Sequence, residues 1–503
     1  MVFAMTTRPV SQPGLQFAAI DLGSNSFHMV VAQQAENGLL TIVDRLKHSV
    51  RLAAGLGADG SLSEDAEERA LQCLSLFGER IRDLPPSQVR AVGTNTLRKA
   101  SDVVRFLESA QGALGHPVDI ISGREEARLI YRGVVRDVEA PGRMLVLDIG
   151  GGSTELIIGE GAEPAQLDSL NMGCVSWSKQ FFPEGVLTSQ AFDDAKTAAL
   201  RVMQGVVRSY RKAGWDAVVG SSGTVLAIET MLHAKGYGRI DSDGLAWLRE
   251  AMVKAGHANQ LDLDGLSENR RPVIAGGVAI LSALVEGLRI RDLRASNNAL
   301  REGVLLELVR RGQPEDIRES TVRHLMTRYE IDGRQAFRVQ QTALSIFSQV
   351  AETWGLEAEQ RSTLRWAAAL HEAGMFVTYS GYHKHGAYLL THADMPGFSR
   401  QLQCFIAALV YGHRGSPSRD KLAQIAPMLD RPLLHLACAL RIATRIHRRR
   451  SPRPAPELLV EVSGRRIELS FPGGWLDERP LSRADLEEEA QHLVGLGYEL
   501  VVR

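Results

Sequence analysis

The chain is poor in the features that would tie it to a disulfide scaffold, a membrane or a strongly basic field. Its 503 residues hold only four cysteines, Cys73, Cys174, Cys404 and Cys438, scattered with no C-x-x-C pair. That spacing argues against disulfide and zinc roles and for a reducing cytoplasm. The first residues, MVFAMTTRPVSQPG, lack the apolar stretch of a signal peptide. The most apolar run, Pro272–Val285, is too short to span a bilayer and is expected as a buried helix. The formal net charge is only −1, so a polyanionic ligand must be met by local basic patches. What is present in abundance is apolar residue, 44% of the chain, ample for several cores. At about 150 residues per domain, three or four domains are expected.

One motif occurs twice. FAAIDLGSNSFHMVVA spans Phe17–Ala32 and RMLVLDIGGGSTELIIGE spans Arg143–Glu160. Each is a β-rich apolar run, an Asp-x-Gly turn with small polar residues, and a second β-rich run, which reads as a hairpin. Glycine lets backbone N–H groups crowd an anion with no Cβ in the way. Asp21 and Asp148 stand at the ends of the first strands, placed for a divalent cation beside that anion. The duplication predicts two related domains facing each other across a phosphate-binding cleft.

Up to about residue 310 the pattern alternates between strand and helix, the mark of α/β architecture. Strands are expected at Val89–Gly93, Val118–Ser122 and Ala217–Gly220, with helices at Thr94–Ala100 and Arg124–Val134. Ile317–His413 is almost entirely of helical period. The basic run Arg445–Pro456 reads as a linker. A small domain follows, with strands Glu457–Ser463 and Arg465–Phe471 and an acidic helix around Asp485–Leu493. The expected organisation is an N-terminal tail (1–16), two α/β domains (17–136 and 137–311), a helical domain (312–444), a linker (445–456) and a small α+β domain (457–503).

Eight segments in order, AIDLGSNSFHMVVA, AVGTNTLRKA, ISGREEARLIYRGV, LVLDIGGGSTELIIG, LNMGCVSWSKQFFP, VVGSSGTVLAIE, GGVAILSALVEGL and ALREGVLLEL, resemble the exopolyphosphatase / guanosine pentaphosphate phosphohydrolase family. That family lies within the actin-like, Hsp70-like and sugar-kinase superfamily. The resemblance implies two ribonuclease H-like (actin-like ATPase) domains flanking a cleft, then an all-helical HD-like domain and a small α+β domain. It implies Mg²⁺-dependent, processive hydrolysis of terminal phosphate from inorganic polyphosphate. Hydrolysis of the 5′-γ-phosphate of guanosine pentaphosphate (pppGpp) is the alternative. A superfamily kinase or ATPase is a third reading, which the absence of a Walker motif does not decide.

On residues, Glu125 and Glu126 sit where a strand meets a helix, pointing in different directions. One can serve the helix dipole while the other faces the cleft. The resemblance puts the general base on Glu126 and a phosphate-binding role on Arg98. Asp148 and Glu155 bracket the second glycine loop seven residues apart, at the cleft end of a tight hairpin. The resemblance associates both with Mg²⁺, and Asp21 is a third metal candidate. Phosphates are expected at Gly23, Ser24 and Asn25, at Gly150, Gly151, Gly152 and Ser153, and at Ser222, Gly223 and Thr224. Arg301 and Glu302 open a helix near the cleft, either as a structural ion pair or as part of the site.

His371-Glu372, where a working HD site has His-Asp, implies a retained scaffold without metal chemistry. His383, Lys384, His385 and Arg414, with Arg448, Arg449 and Arg450, form a candidate polyphosphate track. The alternative for the arginine run is a solvated linker. Where relatives often carry an acid before Ala-Leu-Arg-Glu-Gly, this chain has Ser296-Asn297-Asn298. The remaining expectations are K⁺ as an activator, a homodimer, no nucleic-acid partner, and a cytoplasmic protein with at most peripheral association at the inner face of the membrane.

Overall fold

The computed structural model describes residues 14–35, 40–136, 142–311, 313, 316–428, 431–452 and 456–503. The expected tail and the expected domain boundary at 136/137 fall largely outside these residues. The chain divides into two compact units, Met1–Gln313 and Pro314–Arg503.

The first unit contains two five-stranded sheets of the same design. In one, β1 (Gln16–Leu22), β2 (Phe27–Gln34) and β3 (Leu40–His48) form an antiparallel meander, and β4 (Val89–Gly93) and β5 (Val118–Ile120) join β1 in parallel, in the order β3-β2-β1-β4-β5. In the other, β6 (Arg143–Ile149), β7 (Thr154–Glu160), β8 (Glu163–Leu170), β9 (Ala217–Ser221) and the short β10 (Arg294–Ala295) repeat it as β10-β9-β6-β7-β8. The internal repeat of the sequence is thus a repeat of lobes.

Strand parity decides what each lobe buries. Successive side chains point to opposite faces. Ala18, Ile20 and Leu22 enter the outer core of the first lobe, while Phe17 and Ala19 enter a central core. In β6, Leu145, Leu147 and Ile149 face the outer core of the second lobe, and Met144 and Val146 the central one. Two helices, Gly123–Val135 and Leu300–Arg310, complete this central core through Leu129, Ile130, Val134, Val304 and Leu305. They cross tightly: a Cβ on Gly133 would overlap the carbonyl oxygen of Ala299, and one on Gly303 that of Leu129.

The apolar run expected as a buried helix is one, Arg271–Leu288, whose membrane-length window is 78% buried inside the fold.

The second unit is helical from Ile317 to Ile446 and ends in a three-stranded sheet, β11 (Leu459–Ser463), β12 (Arg466–Ser470) and β13 (Glu499–Val502), with a helix at Pro480–Val494. The strands and the helix match the sequence expectation, but two boundaries differ. Val460, Ile467, Leu486 and Leu493 belong to the same hydrophobic core as Val339, Leu364, Leu409 and Leu440, so no separate small domain exists. The fully buried pair Arg441–Glu489 ties the two parts together. The start of the basic run is not a linker either. Arg445 and Ile446 close the helix Arg431–Ile446, and Arg445 pairs with Glu488 and Glu489.

Candidate active site

The parity that builds the central core also builds the site. Asp21 continues the face of Phe17 and Ala19, and Asp148 that of Met144 and Val146. Both carboxylates therefore emerge at the strand ends that turn toward each other. Glu155 shares the face of Ile157 on β7 and stands directly opposite Asp148 in the hairpin register. His28 shares the face of Val30 on β2 and lines the same cleft.

The glycine turns complete the cleft floor. Gly23, Ser24 and Asn25 from the first hairpin and Gly150, Gly151 and Ser153 from the second line it, with Ser222, Gly223 and Thr224 from the turn after β9. The two hairpin turns abut: a Cβ on Gly151 would sit 2.8 Å from Ser24 Cβ and 3.5 Å from Asn25 N. Ser222 adopts φ +85°, the left-handed region, and starts the helix Ser222–Ala234. That turn brings Gly223 and Thr224 to the cleft. Gly152 does not line the cleft. It abuts Asn95, the side chain of which forms part of the wall.

The two adjacent glutamates separate as their directions require. Ser122 caps the helix by accepting from Glu125 N at 3.2 Å. Glu125 is held by both fork nitrogens of Arg128, at 2.8 and 2.9 Å, and Arg128 also reaches Glu307 at 3.1 Å. It is a buried structural acid. Glu126 lines the cleft, and Arg98 Nη1 donates to its Oε2 at 2.8 Å and to the Ile121 carbonyl at 2.9 Å. Arg98 thus stands behind Glu126, outside the cleft proper.

Charge is crowded here. Burial pushes the Asp21 carboxyl up to about 7; Arg301 draws it back while Glu126, Asp148 and Glu302 raise it further. Burial also lifts Asp148 to about 6 against a hydrogen bond donated by the Ser221 hydroxyl. Glu155 is held well above the ordinary range by burial, then by Glu126 and Asp148, although Ser169 Oγ donates to it at 2.8 Å. Asp21 Oδ1 and Glu155 Oε2 are buried with no hydrogen-bond partner. Orphaned carboxylate oxygens that repel one another are what a divalent cation relieves. Among the described residues no group of three or more His, Cys, Asp or Glu side chains is arranged to hold a metal ion by itself. Mg²⁺ needs only one or two protein carboxylates and fills its octahedron with water and phosphate oxygens, so Asp21 and Asp148 would be enough to hold it.

Two cleft arginines were missed or left open in the sequence. Arg270 precedes the buried helix and lies so close to Gly223 that a Cβ there would strike its guanidinium. A pair of arginines opening an apolar helix was the available signal. Arg301 lies on the cleft wall; its Nη1 is 3.0 Å from His28 Nδ1, and it stays 3.9 Å from Glu302. Glu302 instead pairs with Arg45 at 2.9 Å and caps its own helix at Ala299 N. The ion-pair reading of Arg301 is therefore the lesser one. Burial, then Arg301, Lys47 and Arg270, drive the His28 pKa down to about 2, so its ring is neutral and accepts from Arg301.

The candidate polyphosphate track belongs to the second unit. Arg414 stacks over Tyr379 and Tyr382, 5.3 and 4.9 Å from their ring centroids. His383 is packed among Tyr382, Tyr411 and His413, while Lys384 is exposed and His385 half-buried. Arg448 pairs with Asp485, and Arg450 with Asp332 and Glu372; Arg449 is exposed. Two of the three arginines are thus neutralised locally. Glu372, the HD-like acid, is held by Arg450, and His371 and His413 are buried with their Nδ1 atoms on backbone carbonyls.

Comparison with known proteins identifies the family. Residues 30–312 match the Ppx/GppA phosphatase family and residues 317–490 match Ppx/GppA phosphatase, domain III. A Vibrio cholerae protein named guanosine-5′-triphosphate,3′-diphosphate pyrophosphatase is 39% identical over 501 residues, 99% of each chain. A Vibrio vulnificus protein of the same name is 38% identical over 489 residues, 97% of this chain and 98% of its own. The solved structure of an exopolyphosphatase from Cytophaga hutchinsonii superposes with a TM-score of 0.53 at 23% identity, covering 59% of this chain and 98% of its own, a likeness of fold. By two family models that together span most of its length, the chain belongs to the Ppx/GppA phosphatase family.

Proposed function

We propose that this phosphatase removes the terminal 5′-phosphoryl group of pppGpp by hydrolysis, releasing orthophosphate. The observation that carries the chemistry is Glu126, a buried cleft carboxylate held by Arg98 and facing two abutting glycine turns. The terminal phosphoryl group sits on the N–H groups of those turns, with Arg270 and Arg301 on its oxygens. Glu126 takes a proton from water as the water oxygen bonds to phosphorus and the bridging P–O bond breaks, the electron pair leaving on the nucleotide phosphate. Such a base is worth about 10²–10⁴ in rate. Arginine forks and amide N–H groups stabilise charge spread over the equatorial oxygens. Asp148 and Asp21, with Glu155 behind, would hold Mg²⁺, which when bound neutralises phosphate charge.

The choice of nucleotide over polymer rests on relatives of full length. Inorganic polyphosphate is the substrate that a long chain with basic stretches invites. Chain length no longer discriminates, since proteins of the same length bear the guanosine name. Two of the three arginines in the basic stretch are also neutralised, by Asp485 and by Asp332 and Glu372. Polyphosphate remains the second reading, because the cleft chemistry is common to both. The test is orthophosphate release with Mg²⁺ from pppGpp and from long-chain polyphosphate in parallel. A larger kcat/KM on pppGpp is expected; rapid release from polyphosphate with pppGpp left intact would reverse the assignment.

A further inference from the structure

Beside the cleft, separated from it by Asn95 and the Arg98–Glu126 pair, lies a second basin of about 420 Å³. Asn95 lines both cavities. Arg98, Lys99 and Arg124 bring three cationic side chains to the basin, and Ser122 and Asn171 add polar atoms. Arg98 spends Nη1 on Glu126 and Ile121, leaving Nη2 on the side of Gly123, which lines the basin. Asp168 is the one acid lining it, 3.8 Å from Arg124. The local balance is therefore cationic in a protein of net charge near zero. Ser169, also on this wall, donates to Glu155, so the basin is one hydrogen bond from the carboxylate cluster.

We propose that this basin is a second oxyanion site that receives the orthophosphate product. The product role rests on the hydrolytic reading above. In that reading the terminal phosphoryl group is the deepest part of the substrate, and the remainder of the substrate fills the path it entered by. Orthophosphate formed on the Glu126 side of the cleft has this cationic cavity beside it, across Asn95 and Arg98. Tetrahedral dianions are matched by the guanidinium forks and ammonium group found there. Lys99 and Arg124 are exposed and line no part of the cleft, so their substitution leaves the catalytic groups in place.

The test uses the full chain, with inorganic phosphate as probe, comparing wild type with Lys99→Glu/Arg124→Glu and the conservative pair Lys99→Arg/Arg124→Lys. Equilibrium dialysis is expected to find two phosphates per wild-type chain, and the charge-reversed variant to bind one of them at least tenfold more weakly. The conservative pair keeps both. In turnover, added phosphate is expected to inhibit wild type noncompetitively and the charge-reversed variant only competitively, with kcat unchanged. One phosphate per wild-type chain, or unaltered binding in the charge-reversed variant, overturns the site whatever the substrate. Loss of one of two phosphates supports the site even if pppGpp is not hydrolysed, so the two readings fail separately.

Discussion

Asp21 sits in an environment that works against its own charge. Its carboxyl is buried, one oxygen has no partner, and three neighbouring carboxylates add to the repulsion. A group with a folded pKa raised to about 7 leaves the protein stabler below pH 4, and that stability is lost as pH rises through 7. Neutral asparagine of the same shape removes the penalty. Asp21→Asn is therefore expected to raise stability at pH 7.5 by about 1–3 kcal/mol while activity falls at least tenfold. Denaturant melts and turnover on one preparation check both halves; a destabilised variant would contradict the electrostatic account. Glu126→Gln keeps the shape but loses the base. It should lower kcat by about 10²–10⁴ with KM near wild type. A loss under tenfold in steady-state kinetics would remove Glu126 from its role.

At the scale of elements, the crossing of Gly123–Val135 and Leu300–Arg310 sets the distance between Glu126 and Arg301. Both crossing points are glycines whose Cβ would enter a backbone carbonyl of the other helix. Gly133→Ala or Gly303→Ala should cost about 1–3 kcal/mol and depress kcat, because backbone cannot yield as a side-chain tip can. The opposite sign is expected at Gly112 and Gly205, which lie in the helices Val103–Leu114 and Ser189–Ala213 with nothing within 4 Å of a new Cβ. Alanine there should stabilise by up to about 1 kcal/mol. Thermal melts of the four variants test the contrast, and equal effects would show that the crossing is not tight.

Across the whole molecule the two units differ in their response to acid. The second buries histidines that stay neutral: His383, His435 and His447 are pushed down to about 4, chiefly by burial, and His371 and His413 are lowered as well. The unfolded chain takes up these protons near pH 6.5, so this unit's stability is complete above that and is lost as pH falls toward 4. The first unit carries raised Asp21, Asp148 and Glu155, opposed by a depressed His28 and the lowered carboxyls of Asp59 and Glu307. Calorimetry from pH 7.5 to 5 should show the second unit's transition falling faster than the first's. Parallel shifts of the two transitions would refute the assignment.

The alternation of apolar residues in the two repeated segments carries both sheets, and strand parity in the same segments puts Asp21, Asp148 and Glu155 on facing surfaces. Local capping chemistry at Ser122 and the divergence of adjacent side chains foretell that only one of Glu125 and Glu126 can reach the cleft. These features depend on near neighbours in the chain, so the sequence by itself determines them. Arg270 and Arg301 were not legible in that way, because their roles come from a helix end and a helix start brought beside Gly223 and His28 from far away in sequence. Nor was the merging of the last strands into the helical unit, which follows from a shared core and the buried Arg441–Glu489 pair. The neutralised arginines after Ile446 and the basin behind Asn95 are of the same kind. Composition counts charges, but only tertiary structure decides which of them find partners and which stay open to an anion.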